Sequence, residues 1–159
     1  MRGLDTNILV RFITRDEPAQ SETARELIET TEREGGRLHI STLVLVELVW
    51  VLRGGVYGFS RSAVAEVLEL VLDTRIFHVQ DRDLVRRALE AFRRGPADFS
   101  DYLIGEQDRR AGCDETLTFD HRLAEADGFS APGNDRPYPT DSDSSQVSEE
   151  EPAHTERAI

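Results

Sequence analysis

The sequence predicts an α/β fold, with three α/β/α layers around a central parallel sheet of about four to five strands. Short apolar segments alternate with helical patterns along the first 130 residues. Strands that are separated by helices are joined by right-handed crossovers, which produce parallel sheets covered by helices. A length of 159 residues suits one domain with a core that is stable without disulfides.

The first half of the chain predicts two strands and three helices. The strands cover residues 2–5 and 37–41, and the helices cover residues 8–14, 21–34 and 42–53. Apolar side chains in the second helix recur at helical spacing, and glycine pairs at 35–36 and 54–55 end the second and third helices. The third helix is apolar almost all round, so we expect it to be buried on most faces.

The second half predicts two further strands and four helices. The strands cover residues 76–79 and 115–119. Two of the helices begin after N-caps at Ser60 and Asp81, and the other two cover residues 98–111 and 120–124. Both capped helices carry an apolar face at helical spacing. Ligands of open α/β sheets bind outside the carboxyl ends of the strands, so that edge is where a site is expected.

The last 29 residues differ in composition from the rest. Residues 131–159 are rich in Pro, Ser, Asp and Glu, and they contain seven acids and two arginines. A segment with so few large apolar side chains cannot offset its own ordering entropy. We therefore predict a domain at residues 1–130 and an acidic disordered tail at residues 131–159.

Charge and targeting signals restrict the class of protein. The net charge of −12 argues against a protein that coats nucleic acid, a role that needs many cations. The 19 basic residues are all arginine, which suits bidentate phosphate contacts but equally fits genome composition or salt adaptation. The single Cys113 cannot form an intramolecular disulfide, and no apolar stretch reaches the roughly 18 residues that span a bilayer. We expect a cytoplasmic protein that does not span a membrane.

Four carboxylates are candidates for a site. Asp5 ends one predicted strand and Asp120 directly follows another. Glu47 is the single charge in an apolar helix, and Asp101 lies in the first turn of a helix opened by Asp98. Each has an ordinary alternative, because strand-end acids cap helices and Glu47 can lie on a narrow solvent-facing stripe. We favour capping for Asp98 alone. Taken together, the other four describe a site of oxygen ligands for a hard cation.

Four motifs then give a resemblance to a known family. The segments LDTNILVR, HISTLVLVELVWVL, ADFSDYLIG and TLTFDHRL resemble the conserved blocks of PIN-domain proteins, and in particular the toxins of VapBC toxin–antitoxin pairs. They occur in family order over essentially residues 1–125. The resemblance implies a PIN-like fold and places the family's catalytic, metal-binding acids on Asp5, Glu47, Asp101 and Asp120. It also places accessory polar positions on Asn7 and Thr118.

The resemblance implies a ribonuclease that hydrolyses RNA phosphodiester bonds with Mg²⁺ or Mn²⁺. Asp5, Glu47 and Asp101 would form the main metal shell, and Asp120 would complete a second site or hold the attacking water. The family also implies a VapB-like antitoxin as partner and a homodimer built on the amphipathic helices.

Two rival functions stay open at this point. One is a catalytically idle PIN-type binding module. The other is a phosphatase of the haloacid dehalogenase type, which needs a second Asp two residues after the first, where this chain has Asn7 and offers no lysine. Three arginines of the helix after Asp81 could follow an RNA backbone: Arg82, Arg86 and Arg93. We favour the alternative that they form a solvated face paired with Glu90 and other acids.

Overall fold

The computed structural model describes residues 1–133. Residues 134–159, which make up most of the predicted acidic tail, lie outside the described residues. Strands and helices alternate along the chain, and all strand pairs are parallel, which confirms the α/β class.

A parallel sheet of three strands forms the centre of the fold. Strand β1 (Arg2–Gly3) pairs with β2 (Leu38–Ile40), and β2 pairs with β3 (Phe77–Val79). Helices α1 (Thr6–Thr14) and α2 (Pro18–Arg33) connect β1 to β2, and helices α3 (Thr42–Arg53) and α4 (Arg61–Asp73) connect β2 to β3. These two crossovers bring the carboxyl end of β1 beside the start of α3.

The rest of the described chain adds two helices and a separate pair of strands. Helices α5 (Arg82–Arg94) and α6 (Phe99–Ala111) precede β4 (Thr116–Leu117), which pairs in parallel with β5 (Phe129–Ser130). Helix α5 packs against α4 and α6.

The division into two sheets differs from the single sheet that we expected. The described chain has five strands, but β4 pairs only with β5 and β1 only with β2. The hydroxyl of Thr116 donates to Asp108 at 2.8 Å and so ties β4 to α6. Asp5 and Asp120 therefore do not share one sheet edge, and Asp120 lies three residues beyond the end of β4.

Alternate residues of the three-stranded sheet face the core. The buried side chains of the sheet and its edge are Leu4, Leu38, Ile40, Phe77 and Val79. They pack with apolar side chains of the helices into one core. Because side chains alternate along a strand, the residues between them lie on the other face, which carries Gly3, His39 and His78.

Helix α3 is more exposed than its sequence predicts. Its bounds match the expected residues 42–53, and the Ser41 hydroxyl accepts from the Val44 N–H at 3.3 Å. However, Leu43 and Trp50 are 75% and 78% exposed, and Glu47 is exposed between them. Their spacing puts all three on one face, which we call the α3 stripe. The solvent-facing alternative for Glu47 is therefore the arrangement observed.

Several local expectations need correction. Helix α2 begins at Pro18 because Glu17 accepts from the Gln20 N–H at 2.6 Å, and proline suits the first helical position. Asp81 precedes α5 with a left-handed φ of 51° and makes no capping bond, because its carboxylate pairs with Arg110. The helix expected at residues 120–124 is instead a turn.

The described helices are too short or too polar to cross a membrane.

Candidate active site

Asp5 lies just past β1, where extended backbone turns into α1. It holds the N-cap position of α1, and its side chain is exposed. The side-chain amide of Asn7 donates to Asp5 Oδ2 at 3.4 Å. Asn7, the predicted accessory residue, therefore contacts the carboxylate that it was expected to orient.

Glu47 is joined to the start of α1 by Thr6. The Thr6 hydroxyl donates to Glu47 Oε2 at 2.5 Å. Thr6 is only 3% exposed, whereas Glu47 faces solvent on the α3 stripe. This contact places the Glu47 carboxylate beside the residue that follows Asp5.

Thr6 is the residue that sequence reasoning missed. The sequence showed a polar triplet after the first strand, but nothing local distinguished Thr6 from its neighbours. The available signal was its position at the first turn of a helix, where a polar side chain that does not cap is free to bind elsewhere.

Asp101 lies in the first turn of α6 and is partly buried. Its Oδ2 atom accepts from the Asp98 backbone N–H at 2.9 Å, so one carboxylate oxygen is used in capping. Asp98 holds the expected N-cap position, and its carboxylate pairs with Arg53 at the end of α3. This ion pair holds the start of α6 against α3, the helix that carries Glu47.

Asp120 lies in the turn after β4, and its contacts are local. Its Oδ1 atom accepts from the Arg122 N–H at 2.9 Å and lies 3.7 Å from Arg122 Nε. The Arg122 N–H, together with the guanidinium charge, lowers the pKa of Asp120 below the usual range of an aspartate. Thr118 accepts from the Asp120 N–H at 3.1 Å, so it contacts the backbone of Asp120 and not its carboxylate.

The described contacts join some of these acids but not all. Thr6 links the Asp5 position to Glu47, and Arg53 links α3 to the helix of Asp101. Within residues 1–133, no group of three or more His, Cys, Asp or Glu side chains is arranged to hold a metal ion. The four carboxylates still offer the oxygen donors that Mg²⁺ and Mn²⁺ prefer. Their role as metal ligands stays a prediction.

The arginines of α5 are already engaged. Arg82 donates to backbone carbonyls of Leu72 and Phe77, while Arg86 and Arg93 pair with acids of α4. Arg86 and Arg93 therefore pair with acids, as we favoured, whereas Arg82 binds backbone carbonyls instead of an acid.

Comparison with known proteins decides the family. Residues 4–129 match the PIN domain. The chain belongs to the PIN domain family. A VapC ribonuclease of Aquifex aeolicus (strain VF5) is 29% identical over 123 residues, which cover 77% of this chain and 90% of that relative. No solved structure matches this PIN-domain chain. The resemblance inferred from the four motifs is therefore confirmed.

Proposed function

We propose that this protein is a metal-dependent ribonuclease that hydrolyses RNA phosphodiester bonds and acts as the toxin of a toxin–antitoxin pair. The observation that carries the proposal is the similarity to a VapC ribonuclease over most of both chains, within the matched PIN domain. A haloacid dehalogenase activity is disfavoured because the matched family is a different one.

In this proposal Asp5, Glu47, Asp101 and Asp120 are the catalytic and metal-binding residues, and the ion is Mg²⁺ or Mn²⁺. When bound, the ion lowers the pKa of a water and offsets charge on the attacked phosphate. The chain itself supplies the orientation of the acids. Thr6 fixes the Glu47 carboxylate, Asn7 holds that of Asp5, and Thr118 shapes the turn that presents Asp120.

The α3 stripe supports a partner that covers the site. Leu43 and Trp50 are exposed apolar side chains on either side of Glu47. A VapB-like antitoxin that buries them and offers a basic side chain to the acids would block access of RNA to Glu47. We also propose a homodimer built on the amphipathic helices, since Leu70 of α4 and Ile104 of α6 expose apolar side chains.

We further propose that residues 1–130 form the nuclease domain and residues 131–159 an acidic disordered tail. The family match ends at residue 129, close to this boundary. We place the protein in the cytoplasm, because its single cysteine is free and exposed, as in reducing compartments.

A nuclease assay tests the proposed activity. Purified full-length protein is incubated with a pool of structured RNAs in Mg²⁺, Mn²⁺ or EDTA, and with Asp5→Asn as the site variant. Cleavage should need the ion and be lost in Asp5→Asn, while Asp114→Asn, an exposed acid outside the proposed site, should cleave normally. Metal-independent cleavage would contradict the mechanism. No cleavage under any condition would instead favour the idle binding module.

A further inference from the structure

Two histidines lie side by side on the exposed face of the three-stranded sheet. His39 of β2 and His78 of β3 are paired directly in the parallel register. Their Nδ1 atoms are 3.4 Å apart, and their ring centroids are 5.6 Å apart. His78 is exposed and His39 is half-buried, so solvent reaches the pair.

The surface next to this pair is open. Gly3 is the β1 residue in register with His39, and a Cβ built there would meet no other atom within 4 Å. No third histidine, cysteine or carboxylate of residues 1–133 completes a cluster with the two imidazoles. A ligand held by the rings would therefore keep open positions for water.

We propose that His39 and His78 form a binding site for Zn²⁺, separate from the carboxylate site. Zinc–nitrogen bonds of about 2.0–2.1 Å in a tetrahedral geometry place two nitrogen ligands about 3.3–3.4 Å apart. In a square-planar site, two neighbouring nitrogen ligands form an angle of about 90° at the metal and would be only about 2.9 Å apart at the same bond lengths. The observed 3.4 Å separation fits the tetrahedral ion.

The chemistry of the pair also favours zinc over magnesium. Imidazole nitrogen suits zinc, whereas Mg²⁺ prefers the oxygen ligands of the proposed catalytic acids. The two Nδ1 atoms lie 3.4 Å apart, and the tautomers of the two rings decide which one donates. Zinc would bind the Nδ1 lone pairs of two neutral rings that carry their protons on Nε2. Because a ligating histidine must be neutral, we expect zinc to bind more weakly in acid.

The test is a zinc titration of the full-length protein, followed by long-range ¹H–¹⁵N NMR of its histidine rings. The chain has four histidines: His39, His78, His121 and His154. Zinc should shift the Nδ1 signals of His39 and His78 together, and Mg²⁺ should leave both unchanged. His78→Ala should weaken zinc binding at His39 by about tenfold or more, since even outer-shell partners of metals contribute 10–100-fold.

Control variants separate zinc binding by this pair from effects at other sites and from loss of the fold. His121→Ala removes an exposed histidine elsewhere and should leave the paired shifts intact. Asp5→Asn should also leave them intact, whether or not the nuclease proposal holds. Melting curves without zinc confirm that His78→Ala is folded, and His78→Gln serves as a second variant. The proposal is wrong if zinc shifts neither ring, if His39 responds unchanged in both His78 variants, or if Asp5→Asn abolishes the response.

Discussion

Replacing Thr6 by valine separates the orientation of Glu47 from the stability of the fold. Valine keeps the shape of this buried side chain but removes the hydroxyl that donates to Glu47. Hydrogen bonds to charged groups contribute about 1.5–3 kcal/mol. Here the cost should be lower, at about 1 kcal/mol, because the exposed Glu47 carboxylate can bind water instead. For a domain of this size that corresponds to a fall in Tm of about 2–4 °C.

The effect on function should be much larger than the effect on stability. Without the hydroxyl, the Glu47 side chain can rotate on the α3 stripe. Residues that orient metal ligands contribute about 10–100-fold to metal affinity or activity. We therefore expect Thr6→Val to weaken Mn²⁺ binding, and RNA cleavage at limiting Mn²⁺, by a factor in that range.

Thr6→Ser is the matched control. Serine restores the hydroxyl but leaves a methyl-sized gap in a buried position, so it should lose at least as much stability as valine. It should nevertheless keep Mn²⁺ affinity close to that of the unmodified protein. Calorimetric Mn²⁺ titrations and melting curves of the three proteins give both quantities. Equal Mn²⁺ affinity in the valine variant, or equal loss in both variants, would refute the role of the hydroxyl.

Three further predictions concern the exposed Trp50, the Asp16 carboxylate, which accepts from the Tyr57 hydroxyl at 2.6 Å, and the buried Glu106. Trp50 is the single tryptophan of the chain, so its fluorescence should shift to the blue when the proposed antitoxin binds. Trp50→Ala should weaken that binding about tenfold or more. Unchanged emission in the complex would contradict this prediction. The Tyr57 hydroxyl lowers the pKa of Asp16. The contribution of the ionised Asp16 carboxylate to the free energy of unfolding should therefore be complete above the unfolded pKa of about 4 and decline as pH falls below it. In urea titrations at several pH values, the stability of Asp16→Asn should decline less in acid than that of the unmodified protein. An identical decline would contradict this role of Asp16. Glu106 is buried and pairs with the exposed Arg87 and Arg109. Glu106→Ala should therefore lower the free energy of unfolding by about 2 kcal/mol in urea titrations. A change below about 0.5 kcal/mol would contradict a stabilising role for these ion pairs.

The parts of the fold that the sequence predicted correctly are those set by local patterns. The bounds of α3 were exact, because Ser41 caps its start and Gly54 follows its end. Helix α5 followed from its strongly amphipathic pattern, although Asp81 adopts a left-handed conformation that its residue type did not reveal. The parallel pairing of β1, β2 and β3 followed from strands that are separated by helices, whereas their order in the sheet was not predicted.

The parts that the sequence could not predict depend on contacts between distant segments. Strand β5 contains only Phe129 and Ser130, which is too short to show a pattern, and it forms because β4 offers backbone partners. The Thr6–Glu47 bond spans 41 positions and exists only once α1 packs on α3. The exposure of the α3 stripe could not be predicted either, because an apolar sequence does not show whether its side chains are buried in the protein's own core or lie on its surface.

The charge of the neighbouring groups separates three of the four acids by their proposed roles. Glu47 and Asp5 face solvent and are held by neutral groups, Thr6 and Asn7, which do not compete with a cation for the carboxylate charge. Asp120 is bound instead by the Arg122 N–H and lies near its guanidinium, so a metal ion would have to compete with an existing positive charge. That competition makes Asp120 a poorer direct ligand than Asp5 or Glu47. The lowered pKa keeps the Asp120 carboxylate ionised and able to accept a hydrogen bond from a water, which suits the proposed role of holding the attacking water.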